Sequence, residues 1–243
     1  MKISKANTIG EIVAQNYRAA SVFNSYKIDF CCKGNRNLEE VCNQKNIPLP
    51  KIQAELQNAI QSDDPNQPDY NQWPIDLVID IIEKKHHRYV TNKIPEISAY
   101  LKKICAVHGD NHPELIEIKH LFDQSAGALS MHMKKEELIL FPFARKLVKM
   151  KAGESNAMES APFGSVNNPI NMMLHEHDTE GERFRQIAAL TNEYSPPAGA
   201  CTTYRVTFSM LKEFEEDLHL HIHLENNIVF PKVAELEKEL GHA

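Results

Sequence analysis

The chain has 243 residues, of which 42% are hydrophobic and 25% charged, and its formal net charge is −6. This composition excludes a disordered chain, a collagen-like chain and a disulfide-stabilised mini-protein, and it provides enough apolar material for one or two packed domains. The longest apolar stretch is far shorter than the roughly 20 residues that a membrane-spanning helix needs. No basic cluster favours nucleic-acid binding. The unusual feature is the count of 12 histidines.

The cysteines and the N-terminal segment indicate a reducing compartment. The first residues lack the uninterrupted apolar region of a signal peptide, so we expect a cytoplasmic protein. Five cysteines are an odd number, and the adjacent pair Cys31-Cys32 does not have the spacing of a disulfide framework. We therefore expect free thiols and neither a membrane nor a nucleic-acid partner, and the sequence is compatible with a homodimer.

Helical periodicity dominates the chain, so the predicted fold class is all-α. Residues 1–60 predict a small domain of short helices. Residues 61–73 contain two prolines and almost no aliphatic residues, which predicts a linker. The core of the small domain is expected to contain Ile9, Val13, Val22, Phe23, Leu38, Val41, Ile52, Leu56 and Ile60.

Residues 74–243 predict a four-helix bundle. Its helices are expected at about 74–106, 112–150, 167–192 and 199–240, with a long connection at 151–168. An internal repeat relates the second and fourth helices, because the segment from His132 to Pro142 matches the segment from His221 to Pro231, 89 residues later. Two helical hairpins, 74–150 and 167–240, are therefore predicted to be copies around an approximate two-fold axis, with a shared central site.

The repeated element is His-x-x-x-Glu. His132 and Glu136 lie four residues apart, as do His221 and Glu225, so each pair projects from one face of its helix. Apolar residues at intervals of three and four place both pairs on buried stripes. An unpaired buried carboxylate costs several kcal/mol, a cost that metal coordination would remove. The repeat thus predicts a metal site in the core of the bundle.

The other two helices are expected to complete this site. On the third helix the buried stripe selects His177 over His175. The first helix is ambiguous, because its upstream apolar stripe is in phase with His86 and its downstream stripe is in phase with His87. We favour His87.

Four histidines and two glutamates are too many ligands for one zinc ion and suit two metal ions. With both carboxylates bridging and an oxo or hydroxo bridge between the ions, each ion has five ligands. Mixed imidazole and carboxylate donors favour iron, with manganese and zinc as alternatives. His219 and His223 lie on the opposite side of the fourth helix and are expected to be solvated. The predicted ligands are His87, His132, Glu136, His177, His221 and Glu225.

These ligands, with the run from His221 to Asn227, resemble the hemerythrin-like domain of the iron-sulfur cluster repair di-iron proteins, the Repair of Iron Centers family. The segment from Ile28 to Gly34, which contains the adjacent cysteines, is similar to the family's short N-terminal domain. The resemblance implies a hemerythrin-like bundle with two non-heme iron ions on the same six ligands, including His87. It also implies repair of iron-sulfur proteins damaged by nitric oxide or peroxide through iron donation, with nitric oxide reduction as a further activity.

Cys31 and Cys32 are the candidate reactive residues outside the metal site. We expect them to be redox-active or to pass iron or nitric oxide to and from the metal centre, with Lys33 favouring the thiolate. The alternative is that they are two small, half-buried residues without a reaction.

Two other function classes fit the same ligands. A hemerythrin-like carrier or sensor would bind oxygen or nitric oxide without repair, but it needs neither the cysteine pair nor an extra domain. A bundle oxidase or peroxidase usually has Glu-x-x-His motifs and more carboxylate ligands. The cysteine pair therefore favours repair, with damaged iron-sulfur proteins as partners and nitric oxide or oxygen as small ligands.

Overall fold

A computed structural model describes residues 3–61, 68–154 and 163–241. The described residues are helical with no β-strand, so the all-α prediction is confirmed. The N-terminal region contains four helices: α1 (Ile9–Gln15), α2 (Ala19–Ser25), α3 (Leu38–Lys45) and α4 (Leu49–Gln61). α1 begins with a capping box, in which the Thr8 hydroxyl accepts the Glu11 N–H and the Glu11 carboxylate accepts the Thr8 N–H.

Four long helices form the bundle, and the first, second and fourth each contain a π-helical turn. α9 is the third helix and is uninterrupted. In chain order the parts are α5 (Ile75–Ile81), a π turn (Ile82–His87), α6 (Arg88–His108), α7 (Glu114–Lys135), a π turn (Glu136–Leu140), α8 (Phe141–Lys151), α9 (Asn167–Leu190), α10 (Thr202–Leu224), a π turn (Glu225–Val229) and α11 (Phe230–Glu239).

The π turns change the phase of the buried stripe, because each inserts an extra residue into the helix. On the first bundle helix Val78 and Ile79 are buried before the turn, and Val90 and Ile97 are buried after it. Both apolar stripes that the sequence indicates on this helix are therefore buried, and the π turn lies between the upstream and the downstream stripe.

The apolar core is divided into two clusters. One contains Phe122, Phe184 and Phe214, whose rings pack with centroid separations of 5.5 and 5.6 Å around Phe214. The other lies on the far side of the π turns and includes Phe141 and Phe230. The predicted metal ligands lie between these clusters, so one polar layer crosses an otherwise apolar bundle.

The N-terminal region packs directly onto the bundle, since its Phe23 and Phe30 belong to the same apolar cluster as Phe214. The linker expected at 61–73 is described only at its ends. Tyr70 is buried in the second cluster, and Lys232 donates hydrogen bonds to the carbonyl oxygens of Asn71 and Trp73. Residues 62–67, like residues 155–162 of the connection before α9, lie outside the described residues. None of the helices in the described ranges is long and apolar enough to cross a membrane.

Glu215 on α10 makes the stability of the fold pH-dependent. Burial raises the pKa of its carboxyl to about 7, against the lowering effect of the nearby Tyr194 hydroxyl, and the carboxylates of Glu193 and Glu216 raise it further. The folded chain therefore keeps a proton that the unfolded chain releases above its ordinary pKa. This contribution to stability is complete below about pH 4.5 and is lost as the pH rises to about 7.

We expect Glu215→Gln to increase the free energy of unfolding at pH 8 and to change it little at pH 4.5, because the amide cannot ionise. Urea unfolding followed by circular dichroism at both pH values measures this difference. Glu235→Gln on the exposed side of α11 is the control and should leave the pH profile unchanged, because Glu235 is not among the groups that shift the pKa of Glu215. A Glu215→Gln effect of equal size at both pH values would contradict the assignment.

Candidate metal centre

Six side chains from the four bundle helices meet between the two apolar clusters. His87 ends the first π turn, while Glu136 and Glu225 begin the other two. π-helical turns are rare and occur frequently at functional sites. All six side chains are at most 3% exposed and form two overlapping groups of four. The groups are His87, Glu136, His221 and Glu225, and His132, Glu136, His177 and Glu225.

Each glutamate belongs to both groups because its two oxygens face opposite ways. Glu136 Oε2 lies 3.4 Å from His87 Nε2, and its Oε1 lies 3.4 Å from His132 Nε2. Glu225 Oε1 lies 2.8 Å from His221 Nε2, and its Oε2 lies 3.2 Å from His177 Nε2. Each of the two carboxylates thus lies between two imidazoles and contributes donors to both groups.

The hydrogen-bonding state of these atoms tests whether metal ions fit. All four oxygens of Glu136 and Glu225, and the Nε2 atoms of His87 and His221, are buried without a hydrogen-bond partner among the described residues. In the second group, His132 Nε2 and His177 Nε2 approach to 2.9 Å. Adjacent ligands at about 2.0–2.2 Å from one ion lie about 3 Å apart. The residues present therefore fit cations.

The two carboxylates also create a strong negative potential. Burial alone would lower the pKa of His87 and of His132, but the carboxylates around them raise each to about 10. For Glu225, burial would raise the pKa, but His221, His177 and His87 hold it well below its usual range. A site that attracts protons so strongly also attracts divalent cations, and metal binding displaces those protons.

Three of the four imidazoles are oriented by a hydrogen bond at Nδ1, as metal-bound histidines are. His87 Nδ1 lies 2.7 Å from Glu137 Oε1, and His132 Nδ1 lies 2.8 Å from Glu176 Oε2. Asn226 Oδ1 accepts from His177 Nδ1 at 2.7 Å. Sequence periodicity missed these partners. The signal that could have found them is position, because Glu137 and Asn226 each directly follow a predicted bridging glutamate.

Glu176 precedes a predicted ligand and lies at the surface end of this arrangement. It also forms an ion pair with Lys135, and the hydrogen bond with His132 is the main reason that its pKa falls to about 2. The carboxylate is therefore ionised throughout the physiological range. A groove between α7 and α9 leads to these side chains and is lined by Met131, His132, Lys135, Glu176 and Glu180 among others.

The ambiguous histidines of the first helix occupy different places. His87 Nε2 points to both glutamates, whereas His86 Nδ1 lies 2.9 Å from Asp217 Oδ1 and its ring stacks on His221 at 5.7 Å. His86 is buried but belongs to neither group of four. His175 is exposed.

The expectation that His219 and His223 are both solvated is wrong for His223. His223 is 1% exposed, and its ring lies 5.4 Å from the ring of Tyr17 and 5.9 Å from that of Phe30. Burial lowers its pKa to about 3. His219 is half-buried and also contacts Phe30. The N-terminal region covers this face of the fourth helix, and helical periodicity carries no information about such a long-range contact.

Cys31 and Cys32 lie at the boundary between the N-terminal region and α9. Both are free thiols, their Sγ atoms are 3.6 Å apart, and Cys32 Sγ donates to the carbonyl oxygen of His177 at 3.3 Å. Asp29 Oδ1 accepts the backbone N–H groups of Cys31 and Cys32, while its Oδ2 pairs with Arg185 at 2.7 Å. The thiols therefore lie beside a predicted ligand and outside both groups of four.

The expectation that Lys33 favours a thiolate is wrong for Cys31. The hydrogen bond with Cys32, followed by burial and the nearby Asp29 carboxylate, raises the pKa of Cys31 well above its ordinary value. Lys33 itself is exposed.

Comparison with known proteins places this site in a family. Residues 79–233 match the hemerythrin HHE cation-binding domain, and residues 5–60 match ScdA_N, a domain of unknown function. A probable iron-sulfur cluster repair protein of Haemophilus influenzae is 34% identical over 93% of this chain and 95% of its own length.

Two further relatives are iron-sulfur cluster repair proteins. ScdA of Staphylococcus haemolyticus is 29% identical over 96% of this chain and 100% of its own length. YtfE of Yersinia pseudotuberculosis is 31% identical over 93% of this chain and 95% of its own. The shared domains and near-complete coverage show that this chain belongs to the family of iron-sulfur cluster repair proteins that contain a hemerythrin HHE cation-binding domain.

Proposed function

We propose that this protein binds two iron ions in the bundle and uses that iron to restore damaged iron-sulfur clusters. The observation that carries the proposal is the division of each buried carboxylate between two histidine pairs. Iron held by these residues would be the source of the metal that a damaged cluster has lost. The names of the relatives support repair as the role, and the cation-binding domain supports the metal.

The protein's own residues have three tasks in this scheme. Glu136 and Glu225 would each offer an oxygen to both ions, and the four imidazoles would supply the remaining protein ligands. Glu137, Glu176 and Asn226 keep three of those imidazoles in orientation through Nδ1. The two apolar clusters exclude water on either side, so that the groove beside Glu176 is the route for small ligands such as nitric oxide or oxygen.

Cys31 and Cys32 are proposed to act in delivery. Cys32 already contacts the backbone of His177, and thiols are good ligands for iron in transit. The predicted division into a small domain (1–60), a linker (61–73) and a bundle (74–243) would let the cysteines leave the bundle and reach a damaged partner once the packing of Phe23 and Phe30 against the bundle is released.

We expect purified protein from iron-replete medium to contain two iron ions per chain. Glu136→Leu and Glu225→Leu should each lose the dinuclear centre, while the helical content stays close to that of the unchanged protein because the apolar clusters are intact. Metal analysis, visible absorption and circular dichroism measure these effects. Glu216→Leu is the exposed control. One zinc ion per chain, with no iron, would contradict the proposal.

The two histidines of the first π turn should differ in metal binding. His87→Ala removes a donor that faces both glutamates and should reduce the iron content strongly, whereas His86→Ala removes a partner of Asp217 and should retain iron. Metal analysis of both purified variants measures the difference. Loss of iron in His86→Ala with full iron in His87→Ala would reverse the assignment.

Changing Cys31 and Cys32 together to Ser should leave the iron content and spectrum intact but abolish repair. The assay measures recovered activity of an iron-sulfur enzyme that nitric oxide has inactivated. Cys105 and Cys201 changed together to Ser form a matched control and should retain repair. Undiminished repair by the Cys31 and Cys32 variant would remove their role, and iron binding without repair in the unchanged protein would favour an oxygen or nitric oxide carrier or sensor.

A further inference from the structure

The π turn that begins at Glu225 also holds the segment Asp29–Lys33, here called the cysteine loop. Asn227 Nδ2 donates to the carbonyl oxygen of Phe30 at 3.1 Å. Its Oδ1 lies between two glycines, only 2.2 Å from where a Cβ on Gly10 would be and 3.2 Å from one on Gly34. A side chain at Gly10 would displace Asn227, and one at Gly34 would clash with the carbonyl oxygen of Phe30, so this part of the interface requires the absence of both side chains.

Asn226 makes a second connection, which reaches the metal centre. Its Nδ2 donates to the carbonyl oxygen of Cys31 at 3.0 Å, and its Oδ1 accepts from His177 Nδ1 at 2.7 Å. A carbonyl oxygen can only accept, so the amide orientation is fixed, and His177 donates from Nδ1 whenever this hydrogen bond is formed. A carboxylate in this place could accept from His177 but could not donate to Cys31.

The internal repeat provides a comparison within the same molecule. Glu137 and Leu138 occupy the positions equivalent to Asn226 and Asn227, 89 residues earlier. Glu137 is hydrogen-bonded to His87, just as Asn226 is to His177, but Leu138 is 75% exposed. In the first hairpin, which has Glu137 and Leu138, this position is exposed at Leu138. In the second hairpin, Asn226 and Asn227 bind the cysteine loop.

The contact of Cys32 with α9 depends on a glycine one turn after His177. A Cβ on Gly181 would lie 2.8 Å from Cys32 Sγ, so the missing side chain provides the space for the thiol. The same thiol donates to the carbonyl oxygen of His177. His177 is therefore connected to the cysteine loop twice, through its backbone and through Asn226.

We propose that Asn226 is a positioning residue that couples the metal centre to the cysteine loop, so that a cation on His177 tightens the packing of Cys32 against α9. This inference rests on the proposed metal centre. Without a cation the imidazole can instead carry its proton on Nε2, which lies 3.2 Å from Glu225 Oε2. A cation on Nε2 excludes that tautomer and leaves the proton of the neutral imidazole on Nδ1. That proton fixes Asn226 Oδ1, and the amide then presents Nδ2 to Cys31. The thiols are consequently held while iron is bound and become more accessible when iron leaves.

The experiment measures the rate at which iodoacetamide alkylates Cys32 in the full chain, with peptide mass spectrometry as the readout and iron content determined on the same samples. In the unchanged protein, iron should slow alkylation about fivefold, the scale of one hydrogen bond. Asn226→Asp retains an acceptor for His177 and should keep its iron. It should nevertheless alkylate faster both with and without iron, and iron should no longer protect Cys32.

Two further variants make the result specific. Leu138→Asn changes the exposed residue equivalent to Asn227 in the half without the cysteine loop, and it should leave the protection of Cys32 by iron unchanged. Asn226→Ala removes the donor without adding charge and should reproduce the faster alkylation if Asn226→Asp fails to fold.

The outcomes separate this inference from the proposed function. Iron-loaded protein in which iron does not protect Cys32, or Asn226 variants that keep full protection, would overturn the coupling while leaving the metal centre intact. A chain that binds no iron would overturn the proposed function. In that case, unchanged alkylation of iron-free Asn226→Asp would also overturn the positioning role.

Discussion

Two carboxylates in an apolar bundle are the constraint around which this structure is arranged. Glu136 and Glu225 are fully buried, and their oxygens have no hydrogen-bond partner among the described residues. Such groups are strongly destabilising unless positive charge lies beside them. The surrounding imidazoles provide some of it, and bound cations would provide more. The four helices therefore need to bring their histidines to one level, and the two apolar clusters lie on either side of that level.

The π turns allow the helices to meet this constraint. Three of the four bundle helices carry one, and each turn contains a predicted ligand at its first or last residue. Because the extra residue shifts the stripe, the same helix can face the core both before and after the polar layer. Glu136 with Glu137 and Glu225 with Asn226 then contribute neighbouring side chains to one site, where an ordinary helix would separate them by about 100°.

The sequence predicted the bundle and the six candidate ligands because both depend on local periodicity and on the internal repeat. Its ambiguities were informative, since the conflict between His86 and His87 marks the position of a π turn. What periodicity could not supply are contacts between distant segments. The burial of His223 under Tyr17 and Phe30 and the link from Asn226 to Cys31 depend on how the N-terminal region packs. The raised pKa of Cys31 depends on the same packing.

The separation of the apolar core into two clusters has a consequence for cooperativity. One cluster joins the N-terminal helices to one end of the bundle, and the other joins Tyr70 and Trp73 to the opposite end. Between the two clusters lie the six predicted ligands, whose two carboxylates repel each other unless cations or protonated imidazoles lie between them. Subglobal unfolding proceeds in units with their own cores. A chain without cations thus has a natural boundary between two such units, and cations that bridge all four helices would make them unfold as one.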